Sequence, residues 1–205
     1  ETRLVRTVIL AVAVMGTFGF SYLVLMPVMA SRVLGGGPAE NGFLLGMVGV
    51  GATLGALTVA HLGRPAQPGR RLLVAGTVAG AALVGFAFSR LFALSALCAL
   101  ATGAGIIAFL SSANATVQLT VPDALRGRVM SVYSLALIGS GPLNSLLSGA
   151  LGDLLGAPRA IALTGLVIIG AVAVLVQALA GTALTPAPAS AAPPQRDRAS
   201  SHPTA

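Results

Sequence analysis

Asn144 stands in the stretch LIGSGPLNSLLSG, residues 137–149, with Gly141 and Pro142 just before it and Ser140, Ser145 and Ser148 around it. An amide among hydroxyls can orient a polar group or tie one helix to another, but it cannot supply acid–base or nucleophilic chemistry. Pro142 removes a backbone N–H, so a helix passing through it kinks or loosens, and Ser140 or neighbouring helices must satisfy the freed carbonyl. Gly141 and Pro142 are therefore the predicted kink and gate. Asn144 is costly against lipid, so it faces protein or water, either as an interhelical hydrogen bond or as part of a substrate path. A second polar stripe holds Thr17, Phe18, Ser21 and Tyr22, with 18, 21 and 22 on one helical face. Thr102 lies in the middle of a third apolar run, and Ser111, Ser112, Asn114 and Gln118 follow towards its end. Phe18, Ser21, Tyr22, Thr102 and Asn144 are the substrate-path candidates; for the span-one stripe the alternative is packing.

No other constellation carries chemistry. No carboxylate pair, His/Cys cluster or Ser/His/Asp set can be assembled, which points away from an enzyme, a metal site and a cofactor. His61 is alone at a helix end, where a solvated interfacial residue is the expectation. Cys98 is the single cysteine and reads as a small buried hydrophobe; one chain can form neither a disulfide nor a CxxC site with it. GVGATLG loosely resembles a dinucleotide loop but lies inside an apolar run with no strand before it. Asn114-Ala115-Thr116 is a formal glycosylation sequon on the side read below as cytoplasmic, so it is expected to be unmodified.

The elements that position these residues follow from the placement of charge. The 205 residues are 56% hydrophobic and 8% charged, with a mean hydropathy of +0.93. Soluble domains carry about 25% charged residues, so the implied solvent is lipid. Charges leave the intervals 7–31, 41–63, 72–89, 91–122 and 129–152 empty, and a last apolar run follows Arg159. An Arg or Asp at the bilayer centre costs about 2.5–3.5 kcal/mol on insertion scales, so such intervals are what repeated crossing requires. Each run is long and continuously apolar rather than alternating, which favours helices over barrel strands. The reading is an all-α integral membrane protein with six transmembrane helices at about 5–30, 41–62, 71–89, 92–113, 129–153 and 159–180. Residues 1–180 form one bundle.

All twelve basic residues are arginine. Arg3, Arg6, Arg64, Arg70, Arg71, Arg126, Arg128, Arg196 and Arg198 fall on one side of the alternating spans, against Arg32, Arg90 and Arg159 on the other. The positive-inside rule then places both termini in the cytoplasm. Arg64, Arg70, Arg71, Asp123, Arg126 and Arg128 are cytoplasmic loop residues that set topology, and Pro122 and Asp123 suit a helix start. The scattered arginines form no face interleaved with stacking aromatics, and Trp is absent, so nucleic acid is not an expected partner. Residues 181–205 are rich in Pro, Ala and Ser and are expected to be a disordered tail. The chain opens on Glu1 and runs directly into the first apolar stretch, too long for a signal-peptide core. It is read as a fragment whose beginning is missing.

Helices in lipid associate through close packing of small residues. The 26 glycines fit that need: Gly42, Gly46, Gly49, Gly51 and Gly55 in span two, Gly76 and Gly80 in span three, Gly149 to Gly156 around the end of span five. Tight crossings are expected at these positions.

QLTVPDALRGRVMSVYSLALIGSGPLNSLLSGALGDLLG, followed by APRAIAL, resembles the region of the tenth to twelfth helices of major facilitator superfamily transporters. The carriers of the resemblance are Pro122, Arg126-Gly127-Arg128, Val129-Met130-Ser131, Gly141-Pro142 and Gly149 through Gly156, and the exporter branch of siderophore and macrolide efflux proteins is the most similar. GRPAQPGRR resembles the family's basic loop between helices eight and nine, but it lacks the loop's Asp and inserts Pro65 and Pro68. The resemblance covers about residues 1–180. It implies the C-terminal six-helix half of a twelve-helix transporter, with the N-terminal half of the same chain, the bilayer and a small-molecule substrate as partners. It also implies that spans one and four line a central cavity, two and five flank it, and three and six face lipid. The expected function is secondary active transport, with ion-driven efflux of small amphipathic molecules first, metabolite uptake second, and a non-transporting six-span scaffold as the rival. No ionisable residue lies at mid-depth in any span, so a coupling carboxylate is expected elsewhere in the full chain.

Overall fold

The computed structural model describes residues 2–63 and 68–183; Arg64 and the tail from residue 184 lie outside them. Among the described residues there are eight α-helices: α1 (Thr2–Phe18), α2 (Ser21–Val28), α3 (Pro38–Leu62), α4 (Pro68–Phe88), α5 (Phe92–Thr120), α6 (Asp123–Ile138), α7 (Gly141–Leu155) and α8 (Ala157–Ala183). No strand occurs among the described residues. Two pairs are nearly continuous. α1 and α2, with a π-helical turn at Met29–Val33, make span one; α6 and α7 make span five. The chain thus has six helical segments long and apolar enough to cross a membrane. α5 continues beyond the expected end at 113 to Thr120, and α6 starts at Asp123, with Pro122 directly before it. Residues 181–183, expected in the tail, belong to α8.

Small residues set the tightest contacts. A Cβ on Gly51 would collide with the carbonyl of Leu100, one on Gly55 with that of Ala104, and one on Gly103 with that of Val48. Farther along, Phe43 and Phe92 place their rings 5.6 Å apart. α3 and α5 therefore run parallel and in close backbone contact. α4 and α8 cross antiparallel at Gly80 and Gly165, where a Cβ on either would lie 2.6–2.7 Å from the other's carbonyl oxygen. Four of the expected glycines behave differently: a Cβ on Gly42, Gly46, Gly49 or Gly149 would meet nothing within 4 Å. Those glycines face outward, because the rotation of α3 that presents Gly51 and Gly55 to α5 turns Gly42, Gly46 and Gly49 away.

Spans one and five form the other parallel pair. Gly16 packs on Ser140, Ser21 on Asn144, and Gly152 on Leu25. The pairing of spans two with four and one with five, together with three on four and six on one, is preserved when spans one to three are exchanged for four to six. That is the pattern of an internal three-helix repeat.

Burial is uneven. In the most apolar stretch of each span, 56% of span one is buried and 44% of spans three, four and six, but only 17% of span two and 11% of span five. Spans two and five offer the bundle's large open faces. Among the helix ends, α3 starts with Pro38 and the Glu40 carboxylate, whose Oε2 accepts the Gly37 N–H at 2.6 Å. Gly156, at φ +80°, turns the chain from α7 into α8 through a conformation that side chains with a Cβ resist.

Candidate functional site

Thr17, Ser21, Asn144 and Ser148 converge where the two broken spans lie side by side. Span one breaks at Gly19-Phe20 and span five at Gly139-Ser140. The breaks are staggered by about one turn, since Gly16, one turn before the first, abuts the Ser140 hydroxyl and the Leu137 carbonyl at the second. Pro142 lies in the first turn of α7, where a missing N–H is tolerated. Ser140 Oγ donates to the Leu137 carbonyl at 2.7 Å, and the Asn144 N–H returns to the Ser140 carbonyl at 2.8 Å. The break is thus stitched by local bonds and costs few unsatisfied groups.

Asn144 is buried just beyond it. Its Oδ1 accepts from Ser21 Oγ of α2 and from Ser148 Oγ one turn along α7, each at 3.0 Å. Ser21 Oγ also reaches its own Thr17 carbonyl at 3.4 Å, and Thr17 Oγ1 donates to the Ala13 carbonyl at 2.9 Å. Polar side chains from both broken spans therefore share one buried network. Phe18 ends α1 and Tyr22 lies in the first turn of α2, half-buried and buried respectively. Gly141 and Pro142 open α7. Thr102 is not joined to the network: it is buried in α5, and its hydroxyl has no partner among the described residues.

Several participants were not among the sequence candidates. Ser148 follows Asn144 by four positions, a spacing that puts both on one helix face and could have named it. Gly16 gave no such signal, because its role is to let span five approach. Pro27 was also passed over. It interrupts α2, the π-helical turn follows at Met29–Val33, and Ser31 Oγ caps the Pro27 carbonyl at 2.8 Å. Tyr133, buried on α6, donates its hydroxyl to the Leu110 carbonyl at 3.1 Å and ties span five to span four. Beside it a groove of about 580 Å³ opens between α5 and α6, lined by Ser111, Asn114, Gln118 and Tyr133 among others.

The described charged residues expected in loops lie at helix ends. Asp123 and Arg126 pair at 2.5 Å in the first turn of α6, both exposed, and such a pair contributes little stability. Arg128 is exposed on the same helix, and Arg70 and Arg71 begin α4. Arg71 Nη1 donates to the Gly63 carbonyl at 2.8 Å, joining the ends of α3 and α4. Among the described residues no three His, Cys, Asp or Glu side chains come together.

Residues 1–197 match the family model described as Transmembrane secretion effector, in the major facilitator group. The chain belongs to this family. Major facilitator proteins of this kind are membrane transporters and not enzymes, and the six apolar helical segments make this chain a multi-pass membrane protein, which in a bacterium means the plasma membrane. Relatives include the multidrug efflux pump Tap of Mycolicibacterium fortuitum, 33% identical over 58% of this chain and 29% of the relative. The enterobactin exporter EntS of Shigella boydii is 29% identical over 67% of this chain and 34% of its own length. EntS of Shigella flexneri is 28% identical over 78% and 39%. The matches span about a third of the length of these curated relatives. No solved structure matches.

Proposed function

We propose that this bundle is one half of an exporter that moves small amphipathic organic molecules by alternating access, driven by an ion gradient in antiport. The observation that carries the reading is the paired break of spans one and five, locked by Ser21 and Asn144. Two parallel helices broken within about a turn of each other, with a polar lock between them, can bend together without exposing new backbone to lipid. Phe18, Ser21, Tyr22, Thr102 and Asn144 border the substrate path in this reading, and Gly141-Pro142 is its hinge. The buried, unpartnered Thr102 hydroxyl is a group that a second conformation can satisfy. The export direction and the amphipathic cargo draw on relatives named for multidrug efflux and enterobactin export.

The open faces of spans two and five are the docking surface for a second six-span half. Thr53, Ser131 and Ser145 lie exposed there and bond only to their own helices. Against lipid they gain nothing; against a partner bundle they can pair or let backbones approach. In this reading both termini lie in the cytoplasm, with the polar sequence after α8, and the arginine-rich loops anchor that topology.

The test is efflux by the full-length protein in a pump-deficient host, using a panel of fluorescent amphipathic compounds. Lower accumulation that a protonophore restores is the expected result. Unchanged accumulation across the panel removes the exporter reading, and increased accumulation replaces it with uptake.

A further inference from the structure

A second cavity lies away from the polar junction. A groove of about 770 Å³ opens between α3, α4 and α5. Its floor is made of small residues, Gly55, Ala104, Gly105 and Ala108, where three helices come together. Its lips are apolar and outward-facing: Leu62 is 58% exposed, Val74 55% and Val78 42%. One end is basic. Arg70 and Arg71 line it where the α3–α4 connection reaches the membrane surface. Arg71 is committed to the last carbonyls of α3. Arg70 is exposed and has no hydrogen bond or ion pair among the described residues.

We propose that this groove is a specific site for one anionic phospholipid of the surrounding membrane, with its phosphate on Arg70 and an acyl chain along the floor. Charge complementarity selects the occupant. An arginine at a helix start on the interface, without a carboxylate beside it, attracts a phosphodiester, and basic pockets between membrane helices are where anionic head groups settle. The walls select the rest. The groove runs from Arg70 to Val78, roughly 12 Å at helical rise, and beyond its basic end it is mostly apolar. Its Thr58 hydroxyl donates to the Leu54 carbonyl at 2.7 Å, so the interior beyond the arginines offers no free side-chain donor to a compact polar solute. Left empty, the crevice would forfeit dispersion contacts on both lips, and a flexible hydrocarbon chain restores them. This site does not depend on the exporter reading: it would hold lipid whether or not the protein transports.

Spin-labelled phosphatidylglycerol and phosphatidylcholine, added separately to the purified full-length protein in phosphatidylcholine nanodiscs, test it through the motionally restricted fraction of each. Wild type should retain phosphatidylglycerol about fivefold better. Arg70→Gln should bring that ratio close to one. Ala108→Phe fills the floor, and Val74→Phe fills the groove from an exposed lip where folding is not at risk; each should release the retained phosphatidylglycerol at unchanged helix content. Equal retention of both lipids by wild type overturns the proposal. So does a preference that survives Arg70→Gln. A preference that persists in a folded Val74→Phe protein, but is lost with Arg70→Gln, shows surface attraction without an occupied groove and overturns the site as well.

Discussion

Ser21 and Asn144 are 123 positions apart in the chain, yet the serine hydroxyl donates to the amide oxygen at 3.0 Å in the buried seam between two broken helices. Ser148 donates to the same oxygen, so Asn144 gathers two helices and two hydroxyls. A polar lock of this kind ties the two helices together across the seam.

Asn144→Leu should therefore impair transport more than assembly. Interhelical hydrogen bonds in membranes contribute about 0.6 kcal/mol on average and up to about 1.7, a factor of roughly three to twenty in the balance of two conformations. Transport per molecule is expected to fall within that range while membrane abundance changes less. Efflux normalised to immunoblotted protein measures it, and unchanged efflux per molecule would remove Asn144 from the substrate path.

Ser21→Ala and Asn144→Ala should couple. A double-mutant cycle on unfolding in detergent is expected to give about 0.6 kcal/mol between them. Ser148→Ala with Ser21→Ala should be closer to additive, because the two hydroxyls share an acceptor and do not bond to each other.

The glycines of α3 separate packing from docking. Gly51→Leu should destabilise the bundle by at least about 1–3 kcal/mol, since its Cβ would enter the Leu100 backbone. Gly46→Leu has open space and should leave the thermal stability of this bundle within about 0.5 kcal/mol. If the open face of α3 receives a second bundle, Gly46→Leu lowers transport nonetheless. Full transport by that variant would argue against docking there.

Pro142→Ala restores an N–H in the first turn of α7 and allows span five to straighten. Stability is expected to change by less than about 1 kcal/mol, because proline is tolerated at that position. Turnover should drop while substrate affinity holds, which initial-rate efflux against substrate concentration would show.

Topology can be read with thiols. Gly127 lies in the first turns of α6 with nothing within 4 Å of its Cβ position, so Gly127→Cys in a Cys98→Ala background should fold normally. A membrane-impermeant maleimide is expected to label it only after the cytoplasmic face is opened. Labelling of intact cells would invert the assignment of sides.

Much of this architecture was legible because the cost of charge in hydrocarbon is local. Each arginine or aspartate is excluded from the bilayer core whatever its neighbours do, so the uncharged intervals report helices that cross, one by one, without knowledge of the packing. The break in span five was legible for the same reason: Pro142 lacks its N–H in any context. Pro27 carries the same signal in span one, and the π-helical turn follows it.

Which polar residues meet was not legible. Ser21, Thr102 and Asn144 look alike in sequence, each one polar group in an apolar run, but only Ser21 and Asn144 bond to each other, while Thr102 lies buried and unpartnered. Likewise Gly46 and Gly51 are indistinguishable by composition, and only Gly51 presses on a neighbouring backbone. Exclusion of charge from lipid is an additive property of single residues, and it determines the six helical segments. Contact depends on how each helix is rotated about its axis and which distant helix lies beside it, and only the tertiary structure decides that.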